Sequence, residues 1–185
     1  MINVLSFSGG AGSFAAGVLA QKAGKQFTAV FCDTLIEDAD LYRFLVDAAR
    51  VYCPQVEVPP ELVHLVADVP PVGDLRRHAC LAAAREIFNH TFNPAFYWLA
   101  DGRDPYQVFR DRRYMGNTRT AHCSVELKAK VFKRWLRDNG HTTACLIMGF
   151  DWAESHRHDE AVKNWQGYEI LSPLCAPPYL NRNQI

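Results

Sequence analysis

A short apolar run, Asn3-Val4-Leu5-Ser6-Phe7, ends in Ser8-Gly9-Gly10-Ala11-Gly12-Ser13 and gives way without a linker to an alanine-rich segment over residues 14–23, stopped by Gly24. A strand that runs straight into a glycine-rich turn and then a helix allows few arrangements. The glycines let the backbone take positive φ and let its amides approach a ligand with no Cβ in the way. Ser8 and Ser13 place a hydroxyl at either end of the turn. The free amides of the helix's first turn and its macrodipole point the same way, so the unit makes an anion site, most often for phosphate. The competing reading is a tight strand-to-helix turn with no ligand. A Walker A loop would need Gly-Lys-Ser/Thr and a dinucleotide fingerprint a third glycine at a set distance, and neither is present.

At 185 residues, 49% hydrophobic and 22% charged, the chain has the length of one domain and enough apolar material for a full core. The first apolar run is too interrupted for a signal peptide, and no run of about 18 apolar residues could span a bilayer, so a cytoplasmic protein without a membrane partner is expected. Lys plus Arg equals Asp plus Glu at 20 each, which excludes a global field drawing the protein to nucleic acid or membrane. Locally the balance shifts. Arg103, Arg110, Arg112, Arg113, Arg119, Lys128, Lys130, Lys133, Arg134 and Arg137 face few acids, whereas residues 33–68 are mainly acidic. The six cysteines stand singly with no Cys-x-x-Cys pair, so neither a zinc knuckle nor an iron–sulfur cluster is expected. Cys123 is singled out: it follows His122 in a basic neighbourhood at an expected helix start, where thiol pKa values fall, and the bland alternative is a small buried hydrophobe.

Phe27-Thr28-Ala29-Val30-Phe31 reads as a second buried strand, ending in Cys32-Asp33-Thr34. Polar groups at a strand's C-terminus lie where open α/β sheets bind ligands, so Asp33 and Thr34 are expected at the site. Glu37, Asp38 and Asp40 are placed to cap the next helix. Gln55-Val56-Glu57-Val58 reads as a third strand, and the strand–helix alternation predicts a parallel sheet with right-handed crossovers. Residues 61–99 break the pattern and read as a helical insertion or partner surface, with a helix over 74–88 and the aromatic cluster Phe92, Phe96, Tyr97 and Trp98. Beyond it, Pro105 suits the start of a short helix ending by Gly116, in which arginines crowd among aromatics; Arg103, Arg110, Arg112 and Arg113 are candidates to grip phosphate or sulfate. An amphipathic helix is expected over 125–139, with Ser124 as its cap and Lys128 one turn on along the same face. A further strand over 142–148 ends in Gly149, and Asp151, Glu154, His156 and Arg157 gather metal-binding and acid/base types on the ligand side of the sheet; a solvated turn with local ion pairs would look the same. Residues 168–174 read as the last strand, stopped by Pro177-Pro178-Tyr179.

The loop Ser8-Gly9-Gly10-x-x-Ser13 resembles the PP-loop of the adenine nucleotide alpha hydrolase-like superfamily, which includes ATP pyrophosphatases and phosphoadenosine phosphosulfate reductases. Members usually carry Lys or another polar residue where Ala11 stands and often Asp where Gly12 stands. Three further stretches look like phage and bacterial members of the phosphoadenosine phosphosulfate reductase family. They are the run from Asp33 to Leu45, Gly102-Arg103-x-Pro105 with Val108-Phe109-Arg110-Asp111-x-Arg113 followed by Cys123-Ser124 and Leu127-Lys128, and Gly149-Phe150-Asp151-Trp152 with Glu154 and His156-Arg157. The resemblance implies one three-layer α/β domain over 1–185, a mainly parallel twisted sheet with helices on both faces, and an adenine nucleotide across the C-terminal strand ends. It implies nucleotide contacts from Ser8, Gly9, Gly10, Gly12, Ser13, Asp33, Thr34, Arg103, Arg113, Gly149, Asp151 and Arg157. Cys123, Lys128 and Arg112 are the candidate catalytic groups.

The implied ligand is ATP or a sulfonucleotide. With ATP, Mg²⁺ is expected, held by Asp151 and Glu154 or by Asp33. Two enzymatic readings follow, chemistry at the α-phosphate of ATP or thiol-dependent reduction of a sulfonucleotide by Cys123. A non-catalytic nucleotide-sequestering module is the third. The Glu-Cys-Gly motif that carries the catalytic cysteine of sulfonucleotide reductases does not occur here. An unidentified acceptor, with nucleic acid among the options, and self-association into a homo-oligomer are left open as partners.

Overall fold

The computed structural model describes residues 1–113, 122–177 and 179. Five strands form one parallel sheet: β1 (Ile2–Phe7), β2 (Thr28–Asp33), β3 (Phe96–Ala100), β4 (Ala144–Ile147) and β5 (Glu169–Leu171), in the order β3-β2-β1-β4-β5. The register sets Leu5 beside Ala29 and Val4 beside Leu146. Side chains alternate across the strands, so Leu5, Phe7, Ala29, Phe31 and Ile147 enter one core while Val4, Val30, Cys32 and Leu146 enter the other. Helices α1 (Ala11–Lys22), α2 (Ala39–Tyr52), α3 (Pro60–Ala67) and α4 (Arg77–Phe92) cover the first face; α7 (Lys130–Asp138) and α8 (Ser155–Asn164) cover the second. This is the expected three-layer α/β architecture. Among the described residues no helix is long and apolar enough to cross a membrane.

Several local expectations are corrected. Gln55–Val58 alternates like a strand but pairs with nothing, and the chain turns there into α3, whose first residue is Pro60. The third strand is instead Phe96–Ala100, inside the segment read as an insertion. Its aromatic cluster is core: Phe96 and Trp98 are fully buried, Trp98 stacking on Tyr42 at 5.4 Å between centroids. Residues 61–99 therefore hold the crossover α3–α4 and its edge strand, with no separate body. Helix α1 begins at Ala11, so Gly12 and Ser13 belong to its first turn. The helix expected over 125–139 is compound: a short turn α6 (His122–Ser124), a π-helical turn over Val125–Ala129, and α7. Ser124 has helical dihedrals and makes no cap bond. Asp38 stands at the N-cap of α2 without a side-chain cap bond, and Asp40 pairs with Arg43 instead. The end of the arginine-rich segment at 114–117, the stretch Arg119-Thr120-Ala121 and Pro178 lie outside the described residues.

Candidate functional site

In an open parallel sheet, connections leave the C-terminal strand ends for opposite faces where the strand order reverses, and the gap between them takes ligands. Here that place lies between β1 and β4. The chain leaves β1 for α1 on one face and enters β4 from α7 on the other, leaving it for α8. A cavity of about 830 Å³ opens there, lined by the loop after β1, the loop after β4, the π-helical turn and the ends of β1 and β2.

The loop after β1 is shaped from within. Gly9 takes φ +81°, and a Cβ there would meet the Leu41 side chain at 2.7 Å. Gly10 occupies the N-cap of α1, which no side chain caps and whose first turn carries no acid. Ser13 is 3% exposed; its hydroxyl donates to Gly10 O at 2.8 Å and accepts from the Ser8 amide and the Ser8 hydroxyl, each at 3.1 Å. Ser13 thus holds the loop in shape, while the first amides of α1, which have no side-chain cap, are donors of the kind that can receive an anion.

The loop after β4 meets the first loop main chain to main chain. A Cβ on Gly149 would lie 2.4 Å from Ser13 N, and one on Gly12 would lie 2.7 Å from Gly149 O. Beyond Gly149, Asp151 caps a 3₁₀ turn (Trp152–Glu154) by accepting from Glu154 N at 3.0 Å. Arg157 pairs with Glu154 at 2.5 Å and lies over the Phe150 ring, 4.7 Å from its centroid. The Cys175 thiol, 3.3 Å from both Phe150 O and Asp151 O, fastens this loop from behind.

The cavity gathers Ser8, Gly10, Gly12, Ser13, Lys128, Gly149, Asp151, Glu154 and Arg157 from the expected set. Lys128 is held by Glu37 at 3.0 Å. Ser124, which was expected only to cap, joins Lys128 on the lining, together with an apolar wall of Phe132, Met148, Phe150, Trp152 and Trp165. Nothing local marks Phe132 or Trp165 as wall residues. Phe150 and Trp152 flank Asp151 in sequence, a proximity that could have drawn attention to them.

The remaining candidates are placed elsewhere. Asp33 follows β2 directly, yet its carboxylate turns into the core: it is fully buried and accepts from Leu35 N at 2.7 Å, Tyr42 OH at 2.9 Å and Trp98 Nε1 at 3.0 Å. Burial pushes its pKa up against those three donors. Thr34 donates to Glu37 at 2.9 Å. Gly9 lies against Leu41 and not on the lining. Arg103 pairs with Asp101 at 2.5 Å and Asp111 at 2.9 Å, and Arg112 pairs with Glu126, which also takes Lys130 at 2.7 Å. These contacts hold the Asp101 carboxyl low, chiefly through Arg103, and the Glu126 carboxyl low, chiefly through Lys130. Arg112, and Arg103 through Asp111 and Glu126, thus tie α5 (Pro105–Arg112) to the helix that carries Lys128. Arg113 ends α5 in the left-handed region at φ 50°.

Cys123 lies in α6 and off the cavity lining, although its neighbour Ser124 is on it. Cys32 does line the cavity, and burial pushes its thiol pKa up to about 12. For a metal the donor set is thin. Among the described residues no group of three or more His, Cys, Asp or Glu could hold an ion. Asp151 and Glu154 offer carboxylates at one edge of the cavity, enough for an ion that is also bound by ligand phosphates but no cage. Comparisons with family models, with curated proteins and with solved structures return no match.

Proposed function

We propose that this chain binds an adenine nucleotide in the cavity between β1 and β4 and acts at the α-phosphate of ATP or on a related sulfonucleotide, as a PP-loop enzyme. One observation carries the reading: the two loops touch through Gly12 and Gly149, so the uncapped start of α1, Ser8, Lys128 and Arg157 surround a single cavity of ligand size. The phosphates lie over the amides at the start of α1. The base lies along Phe132, Phe150, Trp152 and Trp165, where aromatic faces offer stacking. Mg²⁺ bound to the phosphates, with Asp151 and Glu154 as its protein ligands, would neutralise charge on the leaving pyrophosphate.

The chain's own groups position and stabilise. A nucleophile on the acceptor, or water, forms a bond to the α-phosphorus as the bridge to the β-phosphate breaks and pyrophosphate leaves. Lys128 and Arg157 offset the charge that accumulates there. The α-phosphate reading is favoured over thiol chemistry, because Cys123 is off the lining and a thiol with a pKa of about 12 at Cys32 stays protonated near neutrality. The exposed basic side chains of α5 and α7 are the natural approach for an anionic acceptor such as nucleic acid.

The test is to incubate the protein and Mg²⁺ with ATP, phosphoadenosine phosphosulfate or adenylylsulfate in turn and to resolve the products by chromatography, beside a Ser8→Ala/Ser13→Ala control. AMP and pyrophosphate from ATP, lost in the control, are the expected result. Sulfite would transfer the reading to the reductase. Nucleotide that is neither consumed nor bound in calorimetry overturns it.

A further inference from the structure

We propose that Glu37 is a positioning residue for Lys128, aiming its ammonium into the cavity before the phosphates arrive, and that the loop between β2 and α2 is held rigid to do so. This rests on the nucleotide reading above. Lys128 Nζ lies 3.0 Å from Glu37 Oε1, and the same oxygen accepts from the Thr34 hydroxyl at 2.9 Å. Thr34 therefore serves the site one step back, by orienting the carboxylate.

The loop that presents Glu37 is fixed more firmly than a surface ion pair needs. Leu35 adopts φ +67°, a region costly for a residue with a branched side chain. Two buried side chains hold it there. Asp33 accepts from the Leu35 amide, while Arg77, 3% exposed, donates from Nε to Leu35 O at 2.7 Å, from Nη1 to Pro70 O at 2.6 Å and from Nη2 to Glu37 O at 2.5 Å. Arg77 also sits over the Tyr42 ring, whose hydroxyl donates to Asp33. Buried polar side chains are tolerated where each is fully engaged, and here each makes several hydrogen bonds, at least one of them to the main chain at 35–37.

The opposite side is equally specialised. Lys128 stands in a π-helical turn, a form that is rare and concentrates at functional sites. Within that turn Glu126 is directed to Arg112 and Lys130, while Lys128 is directed to Glu37 and the cavity. A free lysine has much rotamer entropy to lose on binding; Glu37 removes that freedom in advance and leaves ammonium donors over for the ligand.

The experiment measures dissociation constants for MgATP and for adenosine by calorimetry, with thermal melts, on the wild-type chain and on Glu37→Ala, Glu37→Gln, Lys128→Ala and the Glu37→Ala/Lys128→Ala double variant. Glu37→Ala should weaken MgATP about tenfold and leave adenosine unchanged, with Glu37→Gln, which keeps an acceptor for Thr34 and Lys128, recovering part of the loss. The double variant should bind MgATP no worse than Lys128→Ala alone, since the two residues act as one unit. Additive losses, or equal losses for adenosine and MgATP, overturn the proposal. MgATP binding that Glu37→Ala leaves intact overturns it alone, whereas absence of any nucleotide binding by the wild-type chain removes the nucleotide reading and this proposal together.

Discussion

On the face of the sheet under α1–α4, Phe7, Phe31, Tyr42, Phe88, Phe92, Phe96 and Trp98 interlock with ring centroids 4.7–6.4 Å apart, and the buried polar atoms of Asp33 and Tyr42 bond to one another. On the face under α7 and α8, the core is smaller, and four of its members, Val30, Cys32, Phe132 and Met148, also line the cavity. One face is packed through; the other is packed only as far as the cavity allows. The difference teaches that the first core reaches the cavity only at its edge, through Phe7, whereas on the second face the same side chains serve as core and as cavity wall.

That division can be broken most decisively at Trp98. Trp98→Ala removes the largest fully buried side chain and a donor to Asp33, so it should cost about 3–5 kcal/mol in urea unfolding. Nucleotide affinity should persist at temperatures where the variant is still folded, and affinity lost ahead of the fold would show that the two faces are not separate. Gly149→Val should reach both the fold and the site. Its side chain meets the Ser13 main chain, which costs stability by about 1–3 kcal/mol and nucleotide affinity by about tenfold or more. A variant that binds normally would mean the loops can part without consequence.

A smaller effect is expected with pH. The Asp33 pKa is raised above its ordinary 3.8 by burial, so the folded state holds its proton more tightly than the unfolded chain. Stability should therefore fall as pH climbs from about 3.8 through the raised folded value and level off above it, and Asp33→Asn should flatten that slope in pH-resolved melts. An unchanged slope would assign the dependence to other groups. The smallest expected effect is chemical: at pH 8 iodoacetamide should leave Cys32 unmodified in the folded protein, by peptide mass mapping, because burial pushes its thiol pKa up to about 12. Rapid labelling would make the cavity wall wetter than its packing implies.

The parts of this fold written in local sequence were legible. Buried strands with continuous apolar runs, such as 144–147, and the glycine loop after β1 carry their own signals, and so does Gly149 at a strand end. What depended on distant partners was not. Gln55–Val58 alternates as a strand should, but a strand exists only where a neighbour pairs with it, and β2 took Phe96–Ala100 as that neighbour. Asp33 was expected at the ligand from its place in the chain, while its carboxylate is held in the core by Leu35, Tyr42 and Trp98, the last 65 residues away. For Arg103 a local reading was open, since Asp101 is two residues off and Asp111 eight. Lys128 and Ser124 share a face as their spacing suggested, and that this face lines the cavity, through a π-helical turn, no sequence pattern announces.

The contact between Gly12 and Gly149 also bears on how such a site can change over time. With main chain against main chain, no larger residue fits at either position, so this end of the cavity is a fixed datum and its dimensions cannot drift by ordinary substitution. The walls supplied by α7, the segment leading into α8 and Trp165 just beyond it are side chains and are free to vary. On the nucleotide reading proposed above, a descendant of this chain could exchange one base or acceptor for another while the loop contact stays unaltered.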